Sequence, residues 1–271
     1  MEFLYRVKKC PAILAYALVF FTAGFSIMPG SVLAARTIRA ANVSELQNAI
    51  SNVIPGDTII LSPGVYELGN LNLTDIEATA AEPVIIEGED GALIRGTSTG
   101  ANVIQISNCR YLTLRNLEIT STVPPGGAID GIKLQGRPSD HITFERLHIH
   151  HVSGSGITIF NQRAHNIVLR DSEIAHCSNS GLYWGYPNRD IVWDTVIERN
   201  YIHHCPANAS EAINYGIQLK GWSYRVRIED NVLHDVGGTS RAGLIVYYGK
   251  SPLQGDVPAD INIVRGNVLW N

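Results

Sequence analysis

Charge is scarce in this chain. Of 271 residues only 17% are Asp, Glu, Lys or Arg, while 45% are hydrophobic, so one domain with a sizeable core is expected. No CxxC pair and no His/Cys spacing of a zinc module is present. An excess of positive charge is missing too, which argues against a nucleic-acid partner. The 3.6-residue apolar period of helical repeats is absent from the body of the chain, which excludes a helical solenoid.

What is there begins with a targeting pattern. Arg6, Lys8 and Lys9 precede a long apolar run from Pro11 to Met28, and Val32-Leu33-Ala34 supplies small residues for a cleavage site. A signal peptide over 1–34 is expected, with a secreted or periplasmic product that has no membrane segment after cleavage. Without residues 1–34, 18 Lys and Arg face 24 Asp and Glu, a net charge of −6. Three cysteines remain. Cys177 and Cys205 hold the same repeat position in successive coils, where a disulfide is allowed; two buried thiols are the expected state. Cys109 has no partner in the pattern.

The dominant signal is repetition. YGIQLKGWSYRVRIEDNVLHDV, from Tyr215, is echoed from Asp130, Ser155, Ser180 and Ala242. Each echo opens on a glycine: Gly131, Gly156, Gly181, Gly216 and Gly243, spaced by 25, 25, 35 and 27 residues. Such a period signals stacked repeats. Within each repeat the apolar positions alternate (Ile132/Leu134, Ile157/Ile159, Leu182/Trp184, Ile217/Leu219, Leu244/Val246), which is strand period. Three short strands per repeat with tight corners describe an all-β, right-handed parallel β-helix. Its domain spans 35–271, with coils over 57–271.

The first coil needs a lid, because an open strand edge recruits other chains. Residues 42–54 supply one as a short capping helix. Ser44 and Gln47 are placed for a capping box, and Val43, Leu46, Ile50 and Val53 share one face. At the other end the sequence stops after Asn267-Val268-Leu269-Trp270 with no capping pattern, so C-terminal coils are expected to be missing.

The run SELQNAI…PGDTIILSPGVYE, followed by EPVIIEGEDGALIRG and YLTLRNLEIT, resembles the start of secreted bacterial β-helix proteins of the pectate-lyase superfamily. In layout it is most similar to the chondroitinase-B/alginate lyase group of polysaccharide lyases. The resemblance covers roughly Ala41 to Thr120 by motif and the rest by repeat pattern.

Stacking turns sequence into columns. Arg115, Glu145, Arg170, Glu198, Glu229 and Arg265 share one outward position and read as a surface charge ladder. Asn200, Asn231 and Asn267 share a corner and read as a structural amide stack. His151, His176 and His204 form a column with Asp235. Histidines one coil apart in a line make a poor tetrahedral site, so no metal is assigned and they read as turn residues.

The outer face of the first strand set is where the resemblance places polymer binding. Its outward residues are Lys133/Gln135, Thr158/Phe160, Tyr183/Gly185, Gln218/Lys220 and Ile245/Tyr247, with Asn161 and Arg163 just beyond. Rings stack on sugars, amides read hydroxyls and cations neutralise uronates. Lys133, Gln135, Arg163, Tyr183, Gln218 and Tyr247 are therefore candidate substrate-binding residues. Lys220 is the candidate base for β-elimination, because a lysine among rings and beside another cation has a lowered pKa.

The resemblance implies a lysine base, calcium-binding glutamates five and seven residues before it, and an arginine one coil later. Here those preceding positions are Tyr215 and Ile213, which cannot hold calcium, and the next coil offers Tyr247 and Tyr248. Calcium is thus the one cofactor the resemblance raises, and its glutamates are missing; Glu211 and Asn214 are oxygen donors at another spacing. The expected function is a lyase-like enzyme on an acidic polysaccharide, acting as a monomer. The alternatives are a non-catalytic carbohydrate-binding or adhesive β-helix, and a polyuronate epimerase or glycoside hydrolase. No NTD, GHG or RIK set of the β-helix hydrolases is present.

Overall fold

The computed structural model describes residues 34–160, 162–185, 191–206, 214–220, 222–237, 243–246 and 261–270. The expected signal segment, apart from Ala34, lies outside the described residues. Among the described residues no helix is long and apolar enough to cross a membrane.

Three parallel sheets wrap one apolar core, and each coil gives a strand to each in turn. The coil that starts at Gly131 runs from Ile132–Gln135 (groove sheet) through Ser139–Glu145 (middle sheet) to His148–His150 (third sheet). The chain then returns as Ile157–Phe160, directly beside Ile132–Gln135. Register is held without slippage: Ile132, Ile157, Leu182 and Ile217 pair in line, as do Leu134, Ile159, Trp184 and Leu219. All eight are fully buried. A slip by one residue would turn this whole column to solvent, so burial itself fixes the register.

The opening glycines have a steric cause. A Cβ on Gly131, Gly156 or Gly181 would stand 2.7 Å from the carbonyl oxygen of the next opening glycine, and as close to an isoleucine methyl of its own coil. The coils touch backbone to backbone there, and any side chain would push them apart.

The corners have a backbone cause. Among the described residues sixteen non-glycine residues take a positive φ, and most fall into columns: Tyr111, His141, Asn166, Asp194 and Arg225 in one; Asn116, Arg146, Asp171, Arg199 and Asp230 in a second; His151, His176, His204 and Asp235 in a third. Twelve of the sixteen are Asn, Asp or His, the types that tolerate this region best. The histidine column expected from the sequence is therefore a corner column, with ring centroids 4.7 and 5.0 Å apart.

The lid is the helix Val43–Ser51, with Leu46 and Ala49 buried on the first coil and Val43, Ile50 and Val53 packed at its margin. Its N-cap is Asn42, not Ser44. The Asn42 side chain accepts from the Glu45 N–H (3.0 Å), and the Glu45 carboxylate reaches back to the Ala41 N–H (2.8 Å). Two overlapping capping patterns compete here, and the one with the stronger carboxylate acceptor prevails. Asp57 ties the lid to the first coil. Fully buried, it accepts from the Ile54 and Arg36 N–H groups and from the Arg36 guanidinium at 2.5 Å. Burial works to raise its pKa, but these donors prevail and hold the carboxyl below its ordinary value.

The charge ladder stands as expected and gains Glu87 at its start. Arg115 pairs with Glu87 (2.5 Å), Arg170 with Glu145 (3.4 Å) and Arg265 with Glu229 (2.7 Å). Where the column places Glu198 beside Glu229, flanking Arg199 and Arg227 answer each (2.8 and 2.5 Å). The asparagine stack is continuous: Asn267 Oδ1 accepts from the Asn231 N–H and Nδ2, and Asn231 Oδ1 does the same for Asn200, all at 2.9 Å. Cys109, Cys177 and Cys205 are buried free thiols. Burial pushes the Cys109 thiol up to about 11, which leaves it unreactive.

Candidate functional site

Chemistry gathers on the outer face of the groove sheet. Its central outward column reads Asn72, Gln105, Lys133, Thr158, Tyr183, Gln218 and Ile245, in strict register. Unlike the ladder on the middle sheet, it changes chemical type from coil to coil beyond the two amides Asn72 and Gln105.

Lys220 follows the strand Ile217–Leu219, and its N–H extends the pairing to the Trp184 carbonyl (2.6 Å). Opposite it lies Gly185, with φ +86°, where a Cβ would stand 2.2 Å from the Lys220 carbonyl oxygen. That glycine lets the backbones close, so the Lys220 side chain crosses back by one coil to Tyr183. The Lys220 ammonium donates to the Tyr183 hydroxyl at 3.1 Å and lies 4.5 Å from the ring centroid. A cation held over a phenol ring, with its tip on the phenol oxygen, is a proton-relay geometry.

Tyr183 also borders an open pocket of about 310 Å³ on the preceding coils, lined by Asp130, Lys133, Ser155, Thr158, Phe160 and Asn179 among others. Lys133 is 3.2 Å from Asp130 and 5.4 Å from the centroid of the Phe160 ring. The Asp130 carboxylate also accepts from the Ser155 N–H (2.8 Å). Burial pushes the Asp130 carboxyl up against the pull of Lys133 and that N–H. Among the described residues that line this pocket, Asp130 is the only carboxylate.

Of the candidate residues, the structure brings Lys133, Tyr183, Gln218 and Lys220 onto one face, with Gln135 at the strand end beside Phe160. Gln218 is in the outward column yet only 1% exposed. Arg163 does not join them. It begins the middle-sheet strand Arg163–His165 and is exposed, because the chain has already turned the corner after Phe160. Tyr247, Tyr248, Asn161, Ile213 and Glu211 lie outside the described residues. Asp130 was not foreseen. It stands just before an opening glycine, where the other coils carry Ser155, Ser180 and Tyr215, and that lone carboxylate was the available signal.

The calcium raised by the resemblance does not fit what is here. The ring of Tyr215 is buried, Asn214 Nδ2 donates to the Ser178 carbonyl (3.2 Å), and Asp130 is held by Lys133 and Ser155. Six or more converging hard oxygens are what calcium requires, and no such set is found among the described residues of the groove.

A three-sided solenoid of parallel strands, with a mixed polar and aromatic groove along one side, defines the class. The sequence matches the family described as right handed beta helix region over residues 41–192 and 84–268, and the chain belongs to that family. The same fold is found in solved lyase structures of low sequence identity. An alginate lyase from Paenibacillus sp. str. FPU-7 superposes with TM-score 0.55 at 18% identity, over 86% of this chain and 95% of that one. A PL6 family alginate lyase, AlyGC, gives 0.53 at 17%, over 87% of this chain but 35% of its own length. A pectate lyase from a Bacillus species, in complex with trigalacturonate, gives 0.52 at 15%, over 88% and 82%. This chain spans about a third of AlyGC.

Proposed function

We propose that the groove binds an acidic polysaccharide and that the Lys220–Tyr183 pair cleaves it by β-elimination. The observation that carries this reading is the 3.1 Å contact between the Lys220 ammonium nitrogen and the Tyr183 hydroxyl, on a face that also presents Lys133 and Phe160. In its neutral form Lys220 takes the proton α to a uronate carboxylate. The electron pair left behind forms the C4–C5 double bond, and the C4–O bond breaks. The departing oxygen takes its proton from the Tyr183 hydroxyl. Transfer of the captured proton from Lys220 to the Tyr183 phenolate then restores both groups. Lys133 lies two coils from Tyr183 on the same column, about 10 Å away, where it meets the carboxylate of another sugar. Hydrolysis by two carboxylates is disfavoured, since the described residues bring one carboxylate, Asp130, to the pocket.

A binding role without chemistry is the second reading. The sequence before Lys220 favours it, because Tyr215 and Ile213 stand where the resemblance implies calcium-binding glutamates. The protein is proposed to act as a secreted or periplasmic monomer, released near Ala34; N-terminal sequencing of the exported form tests the cleavage. The activity test incubates the protein with alginate, pectate, and chondroitin and dermatan sulfates, with and without calcium, and follows the ultraviolet absorbance of the unsaturated sugar. A rise with one polymer that Lys220→Ala abolishes supports the mechanism. A rise that survives Lys220→Ala refutes the assigned base. Retention on an immobilised polysaccharide with no rise selects the binding reading.

A further inference from the structure

The third sheet turns a different chemistry outward. Seven of the nine histidines lie on its strands or at the corner that ends them. The fold accounts for His176 and His204, which take φ of 52° and 48° at that corner. It does not account for His203, which stands within the strand Tyr201–Pro206, only 8% exposed.

The ring contacts of His203 are specific. Its Nε2 lies 2.9 Å from Glu173 Oε1, and a carboxylate only accepts, so the ring proton sits on Nε2. The Nε2 of His204 lies 3.6 Å from Asp235 Oδ2, which itself accepts from His234 Nδ1 at 2.8 Å. The lone pair of His203 Nδ1 faces His204 Nδ1 at 2.7 Å, where it accepts the proton of that ring or, with both ring protons on the Nε2 side, shares a cation with it. His176, on the preceding coil, stacks on His204 (centroids 5.0 Å) and meets His203 edge-on (5.9 Å). One nitrogen from each of the three rings lies within 4.8 Å of the other two.

We propose that His176, His203 and His204 form a binding site for a divalent first-row transition ion of the zinc type, with Glu173 supporting His203 from behind. Imidazole nitrogens select such ions over calcium or magnesium. A carboxylate on the far nitrogen of a ligating histidine fixes its tautomer and raises its basicity. Three nitrogens with one side open to solvent make a three-ligand site with a free fourth position. Tetrahedral bonds of about 2.0 Å place ligand nitrogens about 3.3 Å apart, so the 2.7 Å pair has to open by roughly half an ångström. The column alone, one ring per coil, makes poor geometry; two rings from one coil and one from the coil before it do not.

The test uses the full, untagged chain, stripped with a chelator and titrated with Zn²⁺ at pH 7.5 against a chromophoric competitor. One equivalent is expected to bind. His176→Asn and His204→Asn keep the corner backbone, since asparagine tolerates that φ, and each is expected to weaken binding more than tenfold. Glu173→Gln is expected to weaken it by about tenfold. His141→Asn, a corner residue of the middle sheet, is expected to leave affinity unchanged, and thermal melts of the metal-free variants check folding. Absence of zinc uptake, with proton titration of the His203–His204 pair alone, would overturn the proposal: the shared cation would then be a proton. Unchanged affinity in His176→Asn and His204→Asn, with loss in His150→Ala, would overturn it as well, by moving the ion to the Glu118, His148 and His150 cluster.

Discussion

The outward columns of the middle sheet and the groove sheet are built on the same coils and differ in one respect. From Glu87 to Arg265 the middle-sheet column repeats a charge at every coil, and each charge is answered along or beside the column. The groove column holds an amide, a cation, a hydroxyl and a phenol in succession, and repeats nothing of the kind. A column that satisfies itself has little left to offer a ligand. One without a repeating type has no repeat-wide interaction to preserve, and its side chains are left to recognition and chemistry.

That contrast can be broken by substitution, and the largest effect is expected in the groove. Lys220→Ala should lower the elimination rate by about 10²- to 10⁴-fold, the range for loss of a general base, while the denaturant midpoint stays near wild type. A midpoint that falls along with the rate would make Lys220 a structural residue. Next comes the buried corner. Asn231→Ala strips acceptors from Asn200 and donors from the Ile197 carbonyl, and should cost about 3 kcal/mol in urea unfolding. A loss below 1 kcal/mol would show that water replaces the amide at this corner.

An intermediate effect is expected at Asp57, a satisfied charge that is buried. Its carboxyl is held below its ordinary value in the folded chain, so its contribution is fully present above pH 3.8 and is lost as pH falls through the lower folded value. Asp57→Asn should therefore cost about 1–3 kcal/mol near neutral pH and flatten the acid limb of the stability curve. An acid limb unchanged in this variant would place the acid sensitivity elsewhere. The smallest effect belongs to the exposed ladder: Arg170→Gln should change stability by only a few tenths of a kcal/mol, and less still in high salt. A change above 1 kcal/mol would mean that the ladder is a cooperative network.

Alternation and the opening glycines were enough to define the coils, because buried period-two patterning and backbone contact leave few other sequences possible. The charge ladder and the asparagine stack were legible for the same reason: identical residues at a fixed period have to become neighbours. Local competition was not legible. Asn42–Glu45 and Ser44–Gln47 both spell a cap, and the Glu45 carboxylate, a stronger acceptor than the Gln47 amide, selects between them. Corner conformation was missed as a rule, although Asn, Asp and His at those positions carried it. In the groove, alternation puts Lys133 and Tyr183 in the outward column with Lys220 reaching back to it, whereas Arg163, just beyond Phe160, lies past the corner on the middle sheet. Asp130 escaped because it precedes the strand, where the alternation that marks outward residues has not begun.

The glycine contacts carry a consequence for how such a molecule can change. Each coil is re-indexed where one opening glycine meets the next, whatever length of chain separates them: 25 residues between Gly156 and Gly181, 35 between Gly181 and Gly216, with the same 2.7 Å clearance at both. A segment lengthened between two such points adds no phase error to the strands that follow. The loops that rim the groove can thus be exchanged like tools in a fixed holder, and selection can retune what is gripped without re-solving how the barrel of coils is held.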